Sequence, residues 1–337
     1  MTLLGVLDQS PIRSGATPAD AIRETVELAI AADRLGFHRY WLAEHHNSRG
    51  LAGTAPEILI ARIAGATKAM RVGSGGVMLN HYSPLKVAET FRMLETLYPG
   101  RIDLGIGRAP GSDGRTAMAL QLSPEMQGPE AFPPKLGMLM GFLNGTLPEG
   151  HPFAPIRAMP EGPTQPELWL LGSSDYSAAY AAHLGCAFSF AQFITGEGGA
   201  PVLHAYRQQF KPSEKLARPY SSLAVFTICA ETDEEAERLA ASRRLWLLNF
   251  FKGGEAPYPS VEEAMAYPYT ERDLELLRRS GRRTIMGSPE KVKAELLELV
   301  AEYQVDELML VTICHDFRAR VRSYELIAEA FGLAPRG

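Results

Sequence analysis

The run Tyr40-Trp41-Leu42-Ala43-Glu44-His45-His46-Asn47 takes an apolar stretch straight into one acid and two imidazoles. Histidine has the unperturbed pKa nearest neutrality, so this is a pattern that could pass protons in a pocket. A capped strand end with solvated histidines is the plainer alternative. Other apolar runs also end in polar residues: Asp8 and Gln9; Asn80, His81 and Tyr82; Arg108; Ser173 and Ser174; Gln192; His315 and Asp316. Brought together, these groups would offer one strong cation, several hydroxyls and amides, and few carboxylates. Such a set suits an anionic ligand with a large uncharged body.

Metal chemistry is not expected. Neighbouring residues on an extended chain point to opposite sides, so Glu44-His45-His46 has the wrong spacing for shared ligation. The H-E-x-x-H pattern and paired cysteines are both absent. The glycines of Gly105-Ile106-Gly107-Arg108 do not form G-x-G-x-x-G. They would let backbone approach a flat ligand, with Arg108 reaching a phosphate; barrel packing beside a surface arginine is the other reading. Gly172-Ser173-Ser174-Asp175-Tyr176-Ser177 opens a helix, whose free amides suit a phosphate, although serine there is equally an ordinary N-cap. No G-x-S-x-G or glycosidase-like carboxylate pair stands out, so an enzyme of this sequence would lean on a cofactor.

The elements that must position these residues alternate. Strand patterns at Leu3–Leu7, Phe37–Leu42, Arg71–Leu79, Ile102–Ile106, Leu168–Leu171, Ala187–Phe190, Leu223–Cys229 and Leu308–Ile313 are separated by helical patterns. Thr17-Pro18, Thr54-Ala55-Pro56 and Ser83-Pro84 mark three helix starts, the second helix running to about Ala69. Eight βα units predict an α/β fold, a closed (β/α)8 TIM barrel, over 1–337 as one domain. Residues 121–166 and 250–287 interrupt the repeat and are expected as long insertions over the C-terminal face. The second helix is apolar nearly all round, which predicts a homodimer through it and the third helix.

The chain has 337 residues, 46% hydrophobic and 22% charged, with net charge −5, so nucleic acid and anionic membrane are not expected partners. Three scattered cysteines read as buried thiols, and no signal or membrane-spanning run is apparent, so a cytoplasmic location is expected.

Tyr40-Trp41-Leu42-Ala43-Glu44-His45-His46, Gly73-Ser74-Gly75-Gly76-Val77-Met78-Leu79, Ser83-Pro84-Leu85-Lys86-Val87-Ala88-Glu89 and Tyr98-Pro99-Gly100-Arg101-Ile102-Asp103-Leu104-Gly105-Ile106-Gly107-Arg108 together resemble the bacterial luciferase-like flavin monooxygenases. The resemblance is dense over residues 3–120 and sparser beyond. It implies a (β/α)8 barrel and reduced FMN as co-substrate, delivered by a separate reductase. Dioxygen would react through a flavin C4a-(hydro)peroxide, directed at an aldehyde, ketone or similar small molecule. His45 resembles the family's active-site histidine and would act as acid and base, with Glu44 or His46 orienting it. Gly75 and Gly76 fall where the family has a non-proline cis peptide against the flavin ring, with Val77 and Met78 beside it. Arg108, Ser173, Ser174 and Ser177 resemble its phosphate-binding positions. A deazaflavin hydride transferase and a non-catalytic flavin-binding protein are the alternatives on the same scaffold.

Overall fold

In the computed structural model, described over residues 2–109, 111, 113–121, 129–196, 198–279 and 284–336, strands and helices alternate from end to end. The first half contains β1 (Leu3–Asp8), α1 (Pro18–Leu35), β2 (Arg39–Leu42), α2 (Pro56–Ala64), β3 (Arg71–Ser74), β4 (Val77–Met78), α3 (Pro84–Leu97), β5 (Ile102–Gly107), α4 (Gly114–Leu120) and α5 (Phe132–Asn144). The second half contains β6 (Glu167–Gly172), α6 (Asp175–Leu184), β7 (Ala187–Ala191), α7 (Gln192–Thr195), α8 (Gly199–Gln209), β8 (Ser221–Cys229) and α9 (Asp233–Phe251). It closes with α10 (Val261–Ala266), α11 (Glu271–Arg279), β9 (Thr284–Gly287), α12 (Pro289–Tyr303), β10 (Glu307–Val311) and α13 (Phe317–Phe331). Among the described residues no helix is long and apolar enough to cross a membrane.

All strand pairings are parallel, in the order β10-β1-β2-β3-β5-β6-β7-β8, and β10 pairs β8 to close eight strands into a barrel. The expected (β/α)8 architecture is therefore the observed one. Parallel strands need helical crossovers, and local chemistry starts them where the sequence indicates. Thr17 accepts from the Asp20 amide while Asp20 accepts from the Thr17 amide, a capping box with Pro18 in the first turn. Thr232 and Asp316 cap α9 and α13 in the same way, by accepting from the amides of Glu235 and Ala319.

Side chains alternate across the barrel wall. Leu4, Val6, Tyr40, Leu42, Leu308 and Leu310 pack outward on the helices, whereas Leu7, Trp41, Trp169, Ala224 and Met309 fill the interior. The rings of Trp41 and Trp169 meet edge to face at 5.1 Å. A charged floor shuts the N-terminal end. Arg39 binds Asp103 at 2.7 Å and Glu307 at 2.9 Å, and Arg71 also binds Asp103. Burial opposes the Arg39 charge, yet Asp103 and Glu307 hold its pKa above the ordinary value. A water-excluded ion network is tolerated only when each charge is paired, as these are.

Three details depart from the sequence expectations. The strand expected over Arg71–Leu79 is two: β3 stops at Ser74 and β4 resumes at Val77, with the Gly75–Gly76 peptide cis between them. The second helix ends at Ala64, where Gly65 caps it, rather than near Ala69. The two insertions also hold regular structure, α5 in the first and α10, α11 and β9 in the second; residues 122–128 of the first lie outside the described ones. Phe226 pairs both Val311 of β10 and Thr284 of β9, so β9 lies along the edge of β8 that β7 leaves after Ala224.

Candidate active site

At the C-terminal end of β2, the side chain of Glu44 is 1% exposed and accepts three hydrogen bonds. His46 Nε2 lies 2.7 Å from Oε1, the Tyr82 hydroxyl donates to the same oxygen at 2.6 Å, and the Met78 amide donates to Oε2 at 3.1 Å. One carboxylate thus ties together the ends of β2, β4 and the turn Leu79–His81. Glu44 makes no bond to His45. The His45 Nδ1 atom is buried without a partner among the described residues, and burial, then the charge of His46, push its pKa down to about 4. His45 is therefore a neutral ring at neutral pH.

The cis Gly75–Gly76 peptide is walled in by the barrel. A Cβ on Gly75 would sit 2.5 Å from Leu7 Cδ1, and one on Gly76 2.6 Å from Leu171 Cδ1 and 2.7 Å from the Gly105 carbonyl oxygen. Only glycine fits, and what faces the strand ends is flat backbone. Gly111 and Asp113 meet the end of β2: the His46 amide donates to Gly111 O at 3.3 Å, and Asn47 Nδ2 to Asp113 at 3.2 Å.

Arg108, just past β5, crosses to α6, where its guanidinium lies 4.7 Å from the centre of the Tyr176 ring. That contact brings a cation without a carboxylate partner among the described residues to a helix start. Ser174 is the N-cap of α6 yet makes no side-chain cap bond. The Ser177 hydroxyl lies close against the Gly172 backbone. The Tyr176 amide donates to Asp175 Oδ1 and the Ala178 amide to Ser174 O, so the guanidinium, the serine hydroxyls and the remaining first-turn amides make up a donor set for a phosphate or carboxylate.

Other strand-end candidates have structural roles. Asp8 sits one residue beyond inward-facing Leu7, so it points to the helical layer, where it is fully buried. There it pairs with Arg320 at 2.7 Å and accepts from the Tyr40 hydroxyl and the Ser10 amide. Burial opposes its charge, but Arg320 and Tyr40 bring its pKa below the usual carboxylate range. Gln192 donates to Gly196 O, Asp316 caps α13, and His315 Nε2 bonds Ser14 at 3.1 Å. Sequence reasoning named Tyr82 among the strand-end candidates without foreseeing its bond to Glu44, and missed Tyr176 and Lys135. Lys135 of α5 is buried and donates to Asn80 O at 2.6 Å, its pKa lowered by burial; the helix that carries it lies in an insertion without recognisable pattern.

Fold and site define a class: a parallel barrel with a flat glycine platform at the strand ends and a helix start beside an arginine. The family model for luciferase-like monooxygenases matches residues 2–307. YceB of Bacillus subtilis (strain 168) is 47% identical over 331 residues, covering 98% of this chain and 100% of the relative. An N-acetyl-S-alkylcysteine monooxygenase of the same organism is 40% identical over 342 residues, covering 100% of each. The crystal structure of apo-MsnO8 superposes with a TM-score of 0.93 at 41% identity, covering 100% of both chains. The chain belongs to the luciferase-like monooxygenase family and is a flavin-dependent enzyme.

The site's chemistry fits a flavin phosphate. Arg108 and the α6 start match an anionic end, the glycine platform a flat body, and the partnerless Nδ1 of His45 a polar edge.

Proposed function

We propose that the protein is an FMN-dependent monooxygenase acting on a small organic molecule. The observation that carries this reading is the pairing of Arg108 and the α6 N-terminus at one side with the Gly75–Gly76 platform and the Glu44–His46 segment at the other. Arg108, Ser173, Ser174 and Ser177 would hold the phosphate, and Gly75, Gly76, Val77 and Met78 would support the ring system. Reduced FMN, when bound, supplies two electrons to dioxygen, so that one oxygen atom enters the substrate and the other leaves as water.

The chain's own residues do the rest. Glu44, bonded by Met78 and Tyr82, keeps the platform and the imidazoles in register. His45 and His46 hold or move protons beside the reacting atoms. Gly111, close against Met78 and the Glu44 carbonyl, would help exclude water from this end. Because the 40% identical relative is named for an N-acetyl-S-alkylcysteine, thioethers of that kind are the first substrates to try, with aldehydes and ketones next.

Reduced FMN would come from a separate reductase, and two copies would pair through α2 and α3. Ile58, Met93, Leu97 and Met159 are 51–68% exposed around a groove of about 690 Å3 on that outer face. Apolar patches of this kind mark interaction surfaces, and a second copy would bury them.

Anaerobic titration separates the cofactors. Saturable binding of reduced FMN, followed by oxygen uptake and substrate oxygenation on admitting air, is expected. Binding of a reduced deazaflavin with no oxygen uptake would instead support hydride transfer, and flavin binding without turnover a non-catalytic role.

A further inference from the structure

The segment from Val77 to Tyr82 has little regular structure of its own. β4 is two residues long and pairs with β5, Val77 beside Ile106 and Met78 beside Gly107. The turn Leu79–His81 that follows closes on a bond from the Tyr82 amide to Leu79 O at 3.1 Å. Yet this segment presents two donors to Glu44, the Met78 amide at 3.1 Å and the Tyr82 hydroxyl at 2.6 Å, and so sets where that carboxylate lies. His81, whose ring is 6.2 Å from that of His46, rides on the same turn. Asn80 stands midway between the two donors, and its side-chain Oδ1 is buried without a partner.

The turn is held from outside. Lys135, in the first turn of α5, is 3% exposed, and its ammonium donates to the Asn80 carbonyl at 2.6 Å. Among the described residues no carboxylate pairs with it, and burial alone pulls its pKa down. A buried amine without a counter-charge opposes folding, so packing does not account for a lysine here. The helix that carries it is firmly set. Leu136, Leu139, Phe142 and Leu143 belong to the main core, and at the far end Arg92 of α3 and Gln165 both donate to Leu143 O. α5 is therefore a fixed strut from which one ammonium reaches the active-site turn.

We propose that Lys135 is a positioning residue for this site: it ties the first insertion to the turn Leu79–His81 and thereby keeps the Met78 amide and the Tyr82 hydroxyl on Glu44. It acts through the backbone of Asn80 and not on the reacting atoms. The flavin-oxygenase reading enters only where a rate is measured; the tie itself is a property of the ligand-free protein.

Lys135→Met keeps the side chain's length and removes its donor. Exchanging an unpaired buried charge for an apolar group should not weaken the fold, so the urea midpoint is expected to equal or exceed that of wild type. In the ligand-free variant, backbone amide exchange should nonetheless quicken at least about tenfold over residues 77–82 while β8 keeps its protection. Unchanged exchange over 77–82 overturns the proposal. Faster exchange throughout, or a variant that does not fold, also overturns it, because Lys135 would then be an ordinary part of the core. In turnover with reduced FMN, oxygen and an N-acetyl-S-alkylcysteine, Lys135→Met is expected to lose roughly tenfold in kcat, as slight misplacement of catalytic groups does, with little change in KM. Because Lys135 and Tyr82 would act on the same carboxylate, Lys135→Met combined with Tyr82→Phe should lose less than the product of the two single losses. Fully multiplicative losses overturn the proposal and leave the oxygenase reading standing. A wild type that takes up no oxygen with reduced FMN overturns the oxygenase reading, and the exchange result then decides the tie alone.

Discussion

Burial makes His45 a measurable liability to stability in acid. Its native pKa of about 4 lies below the ordinary histidine value of 6.5, because the charged ring would be desolvated and would meet the charge of His46. The unfolded chain therefore binds a proton as pH falls through 6.5, while the native state refuses it until about pH 4. Stability drops across that window and levels off below it. The shift corresponds to a loss of about 2 kcal/mol at pH 5 and about 3 kcal/mol below pH 4, relative to neutral pH. Urea unfolding of wild type and His45→Asn at neutral pH and at about pH 5 isolates this contribution, since every other titrating group, including His38, is common to both. The substitution shifts the whole curve by some constant amount; the informative quantity is the change in that offset with pH. His45→Asn is expected to lose about 2 kcal/mol less than wild type on acidification. Parallel pH dependences would refute the claim that His45 is buried and neutral.

Arg108→Ala should weaken binding of reduced FMN by roughly ten- to a hundredfold, as loss of a charge-assisted phosphate contact does, without altering unfolding by urea. Arg320→Met strands the buried carboxylate of Asp8 and should cost about 3–5 kcal/mol in urea unfolding, whereas replacing both partners should cost less. Gly76→Ala forces a methyl against Leu171 and the Gly105 carbonyl and should destabilise by about 1–3 kcal/mol while reducing flavin binding. Ile58→Glu combined with Leu97→Glu should leave a folded monomer in sedimentation; wild type sedimenting as a monomer would remove the basis for pairing through α2 and α3.

The barrel was legible because its strands are short apolar runs and its helices open on Thr17-Pro18, Ala55-Pro56 and Ser83-Pro84. Such punctuation is local, and local chemistry survives in the sequence. Which face a residue takes is less legible when both faces are apolar. Leu7 and Val6 look alike in sequence, yet one enters the barrel and the other the helical layer, so Asp8 was open to being read as a site residue although it faces Arg320. The break at Gly75–Gly76 lies within a run that reads as one strand, because glycine does not disclose a change of direction. Glu44 bonding His46, Tyr82 and Met78 joins residues 2 to 38 positions apart, and no spacing rule foretells which of two adjacent histidines a carboxylate will choose. Likewise Tyr176 meets Arg108 only because β5 and β6 are neighbours.

The most direct test of the oxygenase account is anaerobic addition of reduced FMN to the protein, followed by oxygen labelled with the heavy isotope in the presence of an N-acetyl-S-alkylcysteine. The account predicts stoichiometric binding of reduced FMN, lost affinity in Arg108→Ala, and one labelled atom in the product. Tight binding of a reduced deazaflavin with no affinity for reduced FMN, or oxygen uptake that leaves every candidate thioether, aldehyde and ketone unlabelled, would contradict it.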